Sequence, residues 1–212
     1  MQSPDVVALW PLLRLVALYV HVVACFGAAA AIVLGDLAVF LHRQVDRRLL
    51  RRASSWVAKA LGVLWVTGLI IIGIDTGLDL AVLLTKGKLL AKFSVVILLT
   101  LNGLALHKWA LPRLMAPTYE PERTARIPAL LGAFSLASWL FAAFLGLAKP
   151  LAGVLGYAGF MQFYGLSLLL ALAVAWHWGR PRLARQLAEY TADSAPIAFD
   201  PLGPPANPWQ RS

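Results

Sequence analysis

A bundle of membrane-spanning α-helices is the fold this sequence predicts, and three observations predict it. Of 212 residues, 60% are hydrophobic and 14% charged, with a mean hydropathy of +0.73. That composition belongs to chains solvated by lipid rather than to water-soluble globules. The apolar residues gather into five stretches of about 20 residues or more, the length a helix rising ~1.5 Å per residue needs to cross ~30 Å of hydrocarbon. Short basic loops cut these stretches apart.

The spans fall at residues 15–41, 56–74, 89–111, 127–148 and 155–178. Apolar residues run continuously through each instead of alternating, and no barrel strands of about ten residues are visible. An all-α integral membrane protein with five transmembrane helices is therefore predicted. The first stretch is too long for the apolar core of a signal peptide. The sequence after Ala31 continues in the same composition, so cleavage is not expected.

The net charge is +9, and its placement sets an orientation. Arg43, Arg47, Arg48, Arg51 and Arg52 follow the first span; Lys108, Arg113, Arg123 and Arg126 follow the third; Arg180, Arg182 and Arg185 follow the fifth. The opposite flanks hold only Arg14, Lys86, Lys88, Lys92 and Lys149. Cytoplasmic loops collect Lys and Arg, so the N-terminus is predicted outside and the C-terminus inside, in a multi-pass protein of a bacterial cell inner membrane. The basic excess then meets anionic lipid headgroups, and a nucleic-acid partner is not expected.

Residues 1–190 form the predicted bundle, including a short amphipathic inner helix at 180–190 with Arg182 and Arg185 on its headgroup side. Residues 191–212 form a cytoplasmic tail whose five prolines, from Pro196 to Pro208, preclude regular structure. Trp209 would anchor that tail to a membrane-protein partner. Residues 112–128 carry four prolines and read as an irregular inner connection. The apolar run 78–84 within the outer loop 75–88 is expected on the bilayer surface or folded back on the bundle.

Small residues recur four apart at Ala24 and Ala28, Gly27 and Ala31, Ala31 and Gly35, and Ala133 and Ala137. Such stripes let helices approach closely, which predicts a central position for the first helix. No internal repeat is evident, which disfavours an inverted-repeat transporter. The single cysteine, Cys25, excludes a disulfide within the chain, and no metal-binding Cys pair, phosphate loop or nucleophile elbow is present.

Ionisable groups at membrane depth need a reason, because each costs several kcal/mol unless paired or wet. Asp36 and Lys59 match in depth and are expected to form an ion pair, a proton-relay carboxylate being the alternative. Asn102 reads as a polar link between helices. His42, His107 and His177 all end spans at the inner face, either as headgroup-layer histidines or converging on a metal.

His21 stands apart, about two turns inside the outer end of the first span. Either it is buried against a hydroxyl, or its neutral imidazole ligates haem in an apolar slot. At its depth lie Lys92 and Met161. Lys92 is a snorkelling lysine, a haem-propionate partner or a clamp on a substrate carboxylate; Met161 is core or a second axial ligand. Cys25 sits one turn below His21 on the same face.

The segment from Leu15 to Gly27, an apolar helix carrying His21 and followed by small residues, resembles the first helix of the bacterial membrane protoporphyrinogen oxidases and of the related copper-resistance-D-type proteins. The run from Lys88 to Leu99, with Lys92 before aliphatic residues and His107 beyond, is similar to their third helix. The basic run Arg47 to Arg52 fits their inner loop. The resemblance covers roughly residues 10–115 and implies haem b, with His21 as the haem-iron ligand and Lys92 as the residue tied to activity. Phe26-Gly27 departs from the Trp-and-Gly pattern of those families, and the fifth helix and tail lie outside the likeness. It implies membership of the wider superfamily ahead of the oxidase reaction.

Two functions follow as expectations: a haem b-binding redox protein, or a non-catalytic subunit or assembly factor of a larger membrane complex that grips partners through the tail. A copper transporter is disfavoured, because soft copper prefers clustered sulfur and the chain has one Cys and three Met.

Overall fold

A computed structural model describes residues 4–40 and 46–194, so the tail beyond 194, with Trp209, and the segment holding His42 and Arg43 lie outside the described residues. In chain order the helices are α1 (Pro4–Phe40), α2 (Arg47–Thr76), α3 (Leu80–Thr85), α4 (Gly87–Ala105), α5 (Leu111–Met115), α6 (Pro121–Leu147), α7 (Ala152–Val174) and α8 (Arg180–Ser194). Five helical runs are long and apolar enough to cross a membrane, Leu9–Val39, Arg47–Thr76, Gly87–Met115, Pro121–Leu147 and Ala152–Ala192, and the chain is a multi-pass membrane protein. No strand occurs among the described residues.

α2 overruns its expected span because its ends are set by caps, not by hydropathy. Asp46 takes an extended conformation and accepts the Leu49 N–H at 2.9 Å, so α2 starts at Arg47 and the basic run makes its first turns. Gly77, left-handed at φ 62°, ends α2 by donating to Gly73 at 2.9 Å.

α6 is the central helix, packing against α4, α7 and α8. α1 is not central, contrary to the expectation from its small residues. It forms a hairpin with α2 at the edge of the bundle. Ala28 and Ala38 are fully buried and Gly35 abuts Ala53 of α2, so the small residues of α1 serve that one neighbour. Trp65 ties the hairpin to α4: its indole donates to the Thr100 hydroxyl at 3.0 Å, and its ring lies 6.3 Å from that of Phe93.

Two clusters hold the bundle together. One, between α4, α6 and α7, is built on Ala91, Val95, Phe141, Leu145, Phe160 and Tyr164. Within it the Ser138 and Tyr164 hydroxyls bond at 2.8 Å, and Asn102 of α4 donates to the Leu131 carbonyl of α6 at 3.1 Å, the polar link its position suggested. The other gathers Leu114, Ala125, Leu183, Ala184 and Leu187 from α5, α6 and α8.

The segment 180–190 falls within α8, which continues from α7 through the π-helical turn Ala175–Gly179 and packs its apolar face on α5 and α6. One expectation at this end is corrected: the proline-rich stretch 112–128 is not irregular but mostly helical, with only residues 116–120 outside helices. Pro121 occupies the first turn of α6, where its missing N–H costs nothing, and Pro128 lies buried within α6.

Pro112 and Pro181 share a local device in two short segments of like sequence. Trp109-Ala110-Leu111-Pro112-Arg113-Leu114 and Trp178-Gly179-Arg180-Pro181-Arg182-Leu183 have one pattern, Trp-x-x-Pro-Arg-Leu. Each proline follows a five-residue π-helical turn, Leu106–Ala110 or Ala175–Gly179. A helical proline lacks its N–H and presses on the carbonyl four residues back, here Lys108 or His177, and widening the turn relieves that contact. Both motifs deliver their leucine, Leu114 and Leu183, into the same cluster.

Candidate functional site: a lysine pocket at the α3 end

At the end of the bundle where α3 lies, Arg14 of α1 holds Asp75 of α2 by two contacts, Nε to Oδ1 at 2.6 Å and Nη2 to Oδ2 at 3.2 Å. The rise along α1 from Arg14 to Asp36 is ~33 Å, the thickness of a hydrocarbon layer. His21 lies seven residues, a rise of ~10 Å, along α1 from Arg14.

Beyond Asp75 the chain turns through Gly77 and Leu78, both left-handed at φ 62° and 60°. The second is a strained conformation for a leucine. Asp79 then caps α3 by accepting the Ala81 N–H at 2.8 Å. Leu78, Leu80 and Leu84 are 72%, 65% and 59% exposed, and Leu78 reaches back to Gly73 of α2.

Immediately after α3, an open cavity of ≈ 370 Å³ is lined by Thr85, Lys86, Gly87, Lys88, Leu89, Lys92 and Ala152. Lys149 lies within electrostatic reach of Lys88 and Lys92. Among the described residues the carboxylate within reach of these lysines is Asp75, which acts on Lys86 and is already taken by Arg14. The pocket is positioned by a backbone contact: a Cβ on Gly87 would lie 2.6 Å from the Tyr157 nitrogen. Gly156, at φ 56° and ψ −167°, breaks α7 beside it in a conformation essentially reserved for glycine. Ser94 and Tyr157, 3.2 Å apart through their hydroxyls, continue the α4–α7 seam.

Lys92 connects the pocket to α1, interacting electrostatically with Cys25 and His21. His21 is half-buried in the α1–α2 seam, its ring against Gly68 and its Nδ1 2.8 Å from the Thr67 hydroxyl. That hydroxyl spends its single proton on the Val63 carbonyl at 2.7 Å, so it accepts from His21. The network therefore assigns the proton to Nδ1 and leaves the Nε2 lone pair without a protein partner among the described residues. Of the two partners the sequence left open for His21, a hydroxyl or a haem iron, the hydroxyl is present in the structure.

The remaining candidates lie elsewhere. Met161 packs against the α4–α6–α7 cluster and not in the α1–α2 seam. His107 is exposed and 3.1 Å from the Gly103 carbonyl, and His177 is exposed; no group of three or more His, Cys, Asp or Glu able to hold a metal occurs among the described residues. No Asp36–Lys59 ion pair forms. The Lys59 ammonium lies 5.3 Å from the Trp56 ring centroid, and both Asp36 and Lys59 are exposed on their helices. Matching depth did not bring them together because depth along a helix leaves its rotation undetermined.

Sequence reasoning singled out Lys92 but treated Lys86, Lys88 and Lys149 only as flanking charge, and it did not name Thr67. The signal for the lysines was present: Lys88 and Lys92 are four apart, on one face of α4. No family model, curated protein or solved structure matches this chain, and its chemistry is read from the pocket and the seam beside it.

Proposed function

We propose that this membrane protein binds an amphiphilic anion at the α3 end, with the charged headgroup among Lys86, Lys88 and Lys92 and the apolar body along the lipid-exposed helices. One observation carries the reading: three lysines line one cavity directly after α3, whose Leu80 and Leu84 are exposed. A headgroup gains there from cations in a partly dehydrated layer, while its tail stays in hydrocarbon. By the cation bias of the loops, the site belongs to the outer leaflet of a bacterial inner membrane.

The test is native mass spectrometry of the full chain released from nanodiscs containing an anionic amphiphile and a zwitterionic lipid. Selective retention of the anion, lost in Lys88→Gln/Lys92→Gln, is the expected result. Equal retention of both lipids sinks the reading.

A second reading, a haem b redox protein, is favoured by the fixed tautomer of His21. An imidazole whose Nδ1–H is held by a second group presents Nε2 as a metal ligand, the usual arrangement of ligating histidines. His21 Nε2 would hold the iron and Lys92 is the nearby cation for a propionate; when bound, haem supplies one-electron chemistry. Met161, in a different cluster, is not brought to that seam. A Soret band in the purified protein, abolished in His21→Ala, supports this reading, and a colourless preparation after reconstitution with haem removes it.

A further inference from the structure

We infer that the headgroup taken by the lysine pocket is a phosphate carrying about two charges, a phosphomonoester or diphosphate on a lipid, rather than a carboxylate. The inference rests on the amphiphile reading above and concerns the same cavity.

Charge is the first argument. Lys86, Lys88 and Lys92 line the cavity, and Lys149 adds a fourth ammonium within reach. Asp75, the carboxylate acting on this group, is held by both contacts of Arg14. Lys88 and Lys92 are four residues apart on α4, a spacing at which like charges repel. A singly charged headgroup leaves most of that repulsion in place, whereas a dianion or trianion offsets it.

Donor chemistry is the second. The cations that line this cavity are all lysines, which bind phosphate as point charges instead of by a planar fork. Lysine ammoniums are compact charges with rotatable donors, and several can share the oxygens of a tetrahedral phosphate from different directions. α4 opens in the pocket with no side-chain cap at Lys86, so its first-turn N–H groups, those of Gly87 and Lys88, are donors of the same kind. The Thr85 hydroxyl donates to the Val82 carbonyl at 2.8 Å and stays out of this set.

The third argument is the surface beside the pocket. Leu80 and Leu84 of α3, the helix that leads directly into the cavity, are exposed and belong in acyl chains, which suits a headgroup still attached to its lipid.

The experiment compares three anions of matched acyl chains on the full protein in nanodiscs: phosphatidic acid as the phosphomonoester, phosphatidylglycerol as the singly charged diester, and a fatty acid as the carboxylate. Phosphatidic acid, with a charge of about −1.5 to −2 at pH 7, is expected to be retained about fivefold or more over the other two. Lys88→Gln/Lys149→Gln should cut that preference to about twofold or less, with an unchanged melting temperature showing that the fold survives. Retention of all three anions to the same extent overturns the phosphate inference and leaves the amphiphile reading standing. Retention of none beyond a zwitterionic control overturns both. Inorganic diphosphate binding as tightly as phosphatidic acid in lipid-free detergent supports the phosphate chemistry and overturns its lipid source.

Discussion

Gly87 approaches Tyr157 so closely that a β-carbon on the glycine would stand 2.6 Å from the tyrosine nitrogen. Backbone meets backbone there, so no flexible side chain can swing aside. The contact fixes where α4 starts against the break in α7 at Gly156, and with it where Lys86 and Lys88 stand.

Gly87→Ala should therefore destabilise the protein by about 1–3 kcal/mol, the usual cost of forcing an extra carbon into a packed site. It should also weaken anion retention. Thermal unfolding in detergent reports the first effect and native mass spectrometry the second. A melting temperature equal to that of the parent would mean that the helices part easily at this point.

Arg14 and Asp75 clamp α1 to α2 through an exposed pair, which water and salt screen. Arg14→Ala or Asp75→Ala should lower the melting temperature slightly, and more so at low ionic strength. The exchange Arg14→Asp/Asp75→Arg should recover most of the loss. If the exchanged protein is no better than the single variants, the two residues act separately.

Thr67 controls the proton of His21. Thr67→Val removes the acceptor and should cost about 0.5–1.5 kcal/mol, while Thr67→Ser keeps it. Nitrogen NMR of labelled histidine should show the Nδ1–H tautomer in the parent and Thr67→Ser, and a mixture of tautomers in Thr67→Val. An unchanged spectrum in Thr67→Val would assign the tautomer to another partner.

Leu114 and Leu183 are 6% and 2% exposed and come from the two Trp-x-x-Pro-Arg-Leu motifs. Each change to alanine should cost about 2–4 kcal/mol. Because the residues share a cluster, the double variant should cost less than the two single costs combined, the second truncation falling in a core already loosened. Strict additivity, measured by chemical unfolding, would argue that the two leucines belong to separate cores.

The five helices were legible because lipid demands continuous apolar runs of fixed minimum length, and those runs are visible in a single chain. Asn102 was legible for a related reason: an amide at that depth must find a partner, and the Leu131 carbonyl supplies it. For His21 the same logic left a hydroxyl and a haem iron open, and Thr67, which it meets in the structure, could not be chosen from among the hydroxyls of the chain.

What sequence alone determined was the solvent of each segment and the depth of each polar group, both one-dimensional properties of hydropathy along a helix. Tertiary structure decided which faces meet. It set α1 at the edge instead of the centre, kept Asp36 and Lys59 apart, docked α8 on α5 and α6, and gathered Lys86, Lys88 and Lys92 around one cavity. The physical reason is that lipid surrounds a helix alike on all sides. Burial from water then gives no rotational preference, and helix phase is fixed by local contacts such as Gly87 on Tyr157 and by π-helical turns such as those before Pro112 and Pro181.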